Sequence, residues 1–181
     1  MLKKSSSLFS AFCFFAVIAI VLVLTTIWQY SLELPEFHQL SKYEPPVTTR
    51  FYAGDGQLLM EYANEKRIFV PENKMPANLK NAFVAAEDQR FYKHFGVDPV
   101  GLTRAVLSNL KNIGSGRRPG GASTITQQVA KNFLLSSELS YSRKIKEMLL
   151  ALRIERAFTK EHIIELYLNE IYLGNRSYGV A

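Results

Sequence analysis

Apolar and polar positions follow three different rhythms along the chain. From Leu8 to Trp28, 21 consecutive residues carry no charge and are rich in Phe, Val, Ile and Leu. A run of that length spans roughly 30 Å as a helix, enough to cross a bilayer core. It exceeds the apolar region of a cleavable signal peptide, about 7–15 residues, and leads into Trp28, Gln29 and Tyr30, a pattern of interfacial aromatics. The expectation is an uncleaved transmembrane signal anchor over 8–28. Lys3 and Lys4 precede it and Glu33 and Glu36 follow, so residues 1–7 are expected in the cytoplasm and everything beyond the anchor outside it. Residues 29–46, with Pro35, Pro45 and Pro46, read as a linker.

The second rhythm is short and strand-like. Val47 to Tyr52 and Gln57 to Tyr62 flank Asp55-Gly56, a hairpin turn dipeptide, and Arg67 to Val70 adds a candidate third strand. After Pro76 the period becomes helical. One helix is expected from Ala77 to His94, stopped by Gly96. Asp98-Pro99 should cap and open a second helix reaching Asn112. Gly114 to Gly121 reads as a flexible basic loop. Thr124 and Gln127 are spaced as a capping box at the start of a helix to Leu135. Ile145, Met148, Leu149 and Leu152 mark another helix, and Ile164, Tyr167, Leu168 and Ile171 a last one, ended by Gly174. The predicted class is mainly α, with a small N-terminal β element and one N-terminal transmembrane helix.

Charge sharpens this picture. Between Arg104 and Lys160 there are 11 Lys and Arg against three Glu, a balance of +8 in a chain of net charge +6. A basic segment on an exported, tethered domain calls for an anionic partner. Nucleic acid is the wrong class outside a membrane; anionic lipid headgroups or a phosphate-bearing substrate fit. Cys13 is the only cysteine and lies in the apolar run, which rules out an internal disulfide or cysteine metal site. His38, His94 and His162 show no metal-ligand spacing.

Several residues are candidates for chemistry. Phe83, Glu87, Phe91 and His94 fall on one stripe of the expected first helix, where a buried carboxylate is costly without a purpose and suits a general base. The plainer alternative pairs Glu87 with Arg90 on a solvated face. Asp88 reads equally as a surface charge, and Asp98 as a cap. Gly120 to Gln128 joins a Gly-rich loop to a helix start crowded with hydroxyls and amides: Ser123, Thr124, Thr126, Gln127 and Gln128, with Lys131 a turn later. Such a junction suits an anion, although ordinary capping accounts for one or two of these side chains. Arg143 and Lys144 share a helical face with Glu147, as a phosphate clamp or as an intrahelical salt bridge. Glu165 and Asn169, four apart on the last helix, either pair with each other or Lys160, or position the site.

Glu87-Asp-Gln-Arg-Phe-Tyr-Lys-His-Phe-Gly96, Gly121-Ala-Ser-Thr-Ile-Thr-Gln-Gln128, Arg143-Lys-Ile-Lys-Glu147 and Ile163-Ile-Glu-Leu-Tyr-Leu-Asn169, in that order, resemble glycosyltransferase family 51. This is the peptidoglycan glycosyltransferase domain of class A penicillin-binding proteins. The resemblance implies a lysozyme-like helical domain over 47–181, incomplete at its C-terminus. It implies lipid II and the growing glycan strand as substrates, membrane lipids and cell-wall synthesis proteins as partners, and an inner-membrane location with a periplasmic catalytic domain. Glu87 and Glu147 carry over as catalytic residues. Asp88, His94, Ser123, Thr124, Thr126, Gln127, Gln128, Lys131, Arg143, Lys144 and Asn169 carry over as substrate-binding. The family also brings in a divalent cation, Mg or Mn, bridging the substrate pyrophosphate, with no metal site built into the chain. Ala122 departs from the Gly-Gly-Ser-Thr of many members. A transpeptidase domain is expected to follow in the natural protein. Ser108-Asn-Leu-Lys111 matches its Ser-x-x-Lys signature only formally, since no Lys-Thr-Gly is present, so this chain is not expected to bind penicillin. Competing readings are a lytic transglycosylase or lysozyme-like enzyme, a monofunctional glycosyltransferase, and a non-enzymatic membrane scaffold. For an inverting transfer, Glu87 and Glu147 should face one cleft at least about 6.5 Å apart.

Overall fold

The computed structural model describes residues 2–42, 49–62, 68–113, 121–135, 140–174 and 177–181. Helix α1, Leu2–Leu32, is continuous and contains a span from Phe12 to Leu32 of mean hydropathy 2.4 with none of that window buried. Thr25 and Thr26 turn their hydroxyls back onto the carbonyls of Val21 and Leu22, which removes their polarity from the helix surface. The helix covers the expected 8–28 segment and continues through the aromatic group at 28–30 to Leu32.

Residues 29–46 differ from a plain linker as far as they are described. After α1 the chain turns into a 3-10 segment, Phe37–Lys42, in which Leu40 is 2% exposed. Leu34 and Phe37 pack on the main core, and Phe37 meets Phe158 edge-on at 6.4 Å. Apolar side chains at these positions bury themselves, so α1 leads into the domain through packed structure.

The hairpin forms as predicted. Strands β1, Thr49–Tyr52, and β2, Leu58–Tyr62, pair antiparallel, with Gly56 at φ +82° and Asp55 Oδ1 accepting from Gln57 N. The expected strand at Arg67 to Val70 does not appear in its described part, 68–70. Val70 instead exchanges both backbone hydrogen bonds with the Asn169 side-chain amide, at 2.8 and 2.9 Å, which takes the place of a ladder.

The core is built by α4 (Ile125–Leu134), α5 (Tyr141–Ala157) and α6 (Lys160–Glu170). Ile163, Ile164, Leu166, Tyr167 and Leu168 are all buried, so α6 is covered on nearly every side and forms the centre of the domain. Glycine permits the closest approach: Gly96, at φ +91°, lies so near α5 that a Cβ would stand 2.5 Å from the Ala151 carbonyl oxygen. Helix α3, Pro99–Lys111, is capped by Asp98 with Pro99 at its first position, as expected. Its residues Val106, Leu107 and Leu110 are exposed.

Two helix ends differ from the sequence reading. Helix α2, Ala77–Glu87, stops seven residues before His94, because Asp88 turns out of helical geometry at φ −153°, ψ 76°; Phe91–Lys93 is a separate 3-10 turn. The last helix stops at Glu170, and Tyr172–Gly174 and Ser177–Tyr178 pair as β3 and β4, closed by Gly179 N donating to Ile171 O. The Gly114 to Gly121 loop lies outside the described residues except at Gly121.

Candidate active site

The break after Glu87 decides the site, because it sends two neighbouring carboxylates in different directions. Glu87 is exposed, and its Oε2 accepts from Gln128 Nε2 at 2.9 Å. Of the two readings left open, burial of Glu87 between Phe83 and Phe91 is therefore absent: Phe91 is fully buried, but on a separate turn, and the stripe is broken at Asp88. Nor does Arg90 pair with Glu87. Its Nε stands 3.2 Å from Asp98 Oδ1, within ion-pair range though misaligned for a hydrogen bond.

Asp88 is not a surface charge. It is 7% exposed and accepts from Ile125 N at 3.1 Å while facing His94 Nε2 at 2.9 Å. An anion on the first N–H of α4 also matches the positive end of the helix dipole. Around it runs a continuous polar braid. Thr124 caps α4 through Gln127 N, Gln127 Oε1 accepts from Thr124 N, and Thr124 Oγ1 donates to Gly96 O at 2.5 Å. Thr126 Oγ1 donates to Glu155 Oε1 at 2.6 Å. Lys160 Nζ reaches the same oxygen at 2.6 Å and the His94 carbonyl at 2.8 Å. Asp88, His94, Thr124, Thr126, Gln127 and Asn169 are thus buried and bonded within the protein.

A cavity of about 330 Å³ opens beside this braid, lined by Glu87, Asp88, Arg90, Arg104, Ser108 and Ser123 among others. Burial pushes the Asp98 carboxyl on its wall up, but the Gly101 N–H, the Arg90 charge and the Val100 N–H outweigh it. They hold Asp98 below the ordinary aspartate value. A second, apolar cavity of about 180 Å³ is lined by Leu102, Val106, Lys144 and Met148 among others. Ala105, Ala122 and Ser123 face both. The two cavities thus meet at Ala122 and Ser123.

Helix α5 brings Lys144 to Ser123, with Arg143 beside it on the same carboxylate. Lys144 Nζ donates to Ser123 Oγ and to Glu147 Oε2, both at 2.7 Å. Arg143 Nε lies 3.1 Å from Glu147 Oε1, close enough for an ion pair but poorly aligned for a hydrogen bond. Glu147 is 3% exposed. A buried carboxylate facing two cations holds them in place while leaving net positive charge for an anion. Lys131, in the last turn of α4, makes no contact with this group among the described residues. Glu165 accepts from Glu72 N at 2.7 Å, and Asn169 Nδ2 bonds its backbone carbonyl, which makes both ties to the segment before α2.

Residues 55–181 match the transglycosylase family. The chain belongs to that family. Penicillin-binding protein 1A of Rickettsia bellii (strain RML369-C) is 54% identical over 155 residues, covering 86% of this chain and 20% of the relative. Penicillin-binding protein 1A of Rickettsia felis is 51% identical over 178 residues, with 97% and 22% covered. That of Neisseria gonorrhoeae is 46% identical over 176 residues, with 96% and 21% covered. The chain thus spans about one fifth of the length of these curated relatives.

In this transglycosylase domain, sequence reasoning passed over Arg90, Arg104 and Tyr167. The arginines reach the cavity only through tertiary packing. The Tyr167 hydroxyl is buried with no hydrogen-bond partner among the described residues. Burial, then the charge of Glu87, push it well above the ordinary tyrosine value, so it stays protonated near the rim carboxylate. Its place in the apolar period of α6 made it indistinguishable from a core residue.

Proposed function

We propose that the chain is the peptidoglycan glycosyltransferase part of a cell-wall polymerase, acting on lipid II and the growing glycan strand. The observation that carries this reading is what meets at Ser123. A solvent-facing carboxylate, Glu87, lines the same cavity as Ser123, and Ser123 accepts from Lys144, one of two cations braced by Glu147. A glycan-cleaving enzyme needs a carboxylate in a sugar cleft but has no use for a phosphate clamp.

In the reaction, Glu87 takes the proton of an acceptor sugar 4-hydroxyl. That oxygen attacks C1 of the donor sugar, the C1–O bond to pyrophosphate breaks, and undecaprenyl pyrophosphate leaves with the bonding pair. The α-linked donor yields a β-1,4 link, so the carbon inverts. Gln128 orients Glu87. Lys144, Arg143 and Ser123 face the charge that grows on the leaving group, where fixed donors lower the barrier. Lys131 joins them only with substrate bound. Asp88, His94, Thr124, Thr126, Gln127 and Asn169 act by holding these groups in position.

Glu147 is already faced by two cations, so this reading assigns it to the phosphate clamp and not to a resident metal. A Mg or Mn ion in this scheme rides on the substrate pyrophosphate. α1 is read as a single span of the inner membrane with the catalytic domain in the periplasm, and the full-length protein as carrying a transpeptidase domain and joining cell-wall synthesis complexes.

The test is product size. Purified full-length protein given lipid II should produce long glycan strands and undecaprenyl pyrophosphate while leaving isolated sacculi intact. Shortened sacculi without polymer would establish the lytic alternative.

A further inference from the structure

Helix α5 has a second polar face that the proposed reaction does not use. Lys146 and Arg153 are seven residues apart and so share one face, about 100° around the helix from Glu147. Both reach the end of α1. Lys146 Nζ lies 2.7 Å from Glu33 Oε2 and 5.8 Å from the centre of the Tyr30 ring. Arg153 Nη2 donates to Ser31 Oγ at 2.6 Å and to Ser31 O at 3.2 Å. The Ser31 carbonyl belongs to the last turn of α1, where the helix itself supplies no donor, so the arginine fills a vacancy specific to that end.

The spacing gives the crossing. α5 advances about 10 Å from Lys146 to Arg153, while their partners Glu33 and Ser31 differ by about 3 Å along α1. α5 therefore lies across the end of α1 and grips it at two separated points, which resists rotation as well as sliding. Leu34 and Phe37, packed into the core just beyond, prevent the junction from acting as a swivel. The Lys146–Glu33 pair is largely exposed, with side chains 23% and 62% accessible, and contributes little to stability. Orientation is what such contacts can supply.

We propose that Lys146 and Arg153 are positioning residues. With Tyr30, Ser31 and Glu33 they latch α5 to the membrane anchor and set the height and tilt of Arg143, Lys144 and Glu147 over the bilayer surface. The proposal rests on the reading of α1 as an anchor and of the cleft as a lipid-pyrophosphate site. A substrate whose phosphate is held at the lipid headgroup level cannot move to meet a misplaced clamp, whereas a soluble substrate can.

The experiment compares full-length wild type, Arg153→Ala, Lys146→Glu and the swap Glu33→Lys with Lys146→Glu. Each is assayed on lipid II in phosphatidylethanolamine–phosphatidylglycerol vesicles and on a short-chain lipid II analogue in detergent. Misplacement of reacting groups by about 1 Å can cost up to about 10²-fold, so the single variants should lose roughly tenfold in vesicles. They should lose less than about twofold in detergent, and the swap should regain most of the vesicle rate. Equal losses in both assays, no loss in either, or a folded swap that fails to recover would overturn the latch. Glu87→Gln and carbonate extraction run alongside, so failure of the polymerase or anchor readings is seen separately. Should wild type show no turnover, cross-linking of Glu33→Cys to Lys146→Cys in membranes by a short bismaleimide decides the matter: a cross-link supports the junction and its absence overturns it.

Discussion

Glu87 and Asp88 are consecutive in the chain and serve opposite parts of the molecule. Asp88 belongs to the buried braid that joins α2, the 94–98 segment, α4, α5 and α6, in which most polar atoms have a protein partner at 2.5 to 3.2 Å. Glu87 belongs to the rim, where its bond to Gln128 and that of Lys144 to Ser123 border cavities. In a low-dielectric interior a satisfied network is rigid and costly to break. A solvated contact exchanges for a ligand at small cost. The lesson is that motif residues divide by burial: the braid fixes the frame and the rim borders the cavities.

The comparison breaks most easily at Gly96. A Cβ there would meet the Ala151 backbone and occupy a left-handed position, costs of about 1–3 kcal/mol and about 1–2 kcal/mol respectively. Gly96→Ala should therefore lower stability by about 2–5 kcal/mol in denaturant melts. A tolerated alanine would mean that the braid does not press on α5. Thr124→Ala comes next. It removes the α4 cap and strands the Gly96 carbonyl, for a loss of about 1–2 kcal/mol by the same measurement. A change under about 0.5 kcal/mol would place Thr124 outside the braid.

The smallest effect is predicted for Tyr167→Phe, which keeps the ring packed against Phe83 at 6.2 Å and removes a hydroxyl lacking a hydrogen-bond partner among the described residues. Stability should stay within about 0.5 kcal/mol or rise. A clear loss of turnover at unchanged stability would sharpen the comparison by assigning Tyr167 to the rim, through Glu87.

The parts legible in the sequence are those set by local chemistry. The Asp98-Pro99 start, the Thr124–Gln127 capping box, the Asp55-Gly56 turn and the shared face of Arg143, Lys144 and Glu147 all depend on residues within four positions, and all formed. What failed depended on distant partners. The break at Asp88 follows from an acceptor for Ile125 N lying 37 residues away, and the missing strand at Val70 from an amide 99 residues away. Helical period alone predicted a continuous stripe, and so left Glu87 undecided between a buried base and a solvated charge. The packed segment after α1 was hidden because three prolines outweighed Leu34, Phe37 and Leu40.

The division between frame and rim is tested most directly by measuring thermal stability and lipid II turnover for Glu87→Gln and Asp88→Asn in one full-length preparation. Glu87→Gln should keep the wild-type melting temperature and lose about 10²–10⁴-fold in rate, the usual cost of a missing general base. Asp88→Asn should lower the melting temperature, with activity falling in step with the folded fraction. The reverse pattern, a destabilised Glu87→Gln that still polymerises and a stable Asp88→Asn that does not, would contradict the account.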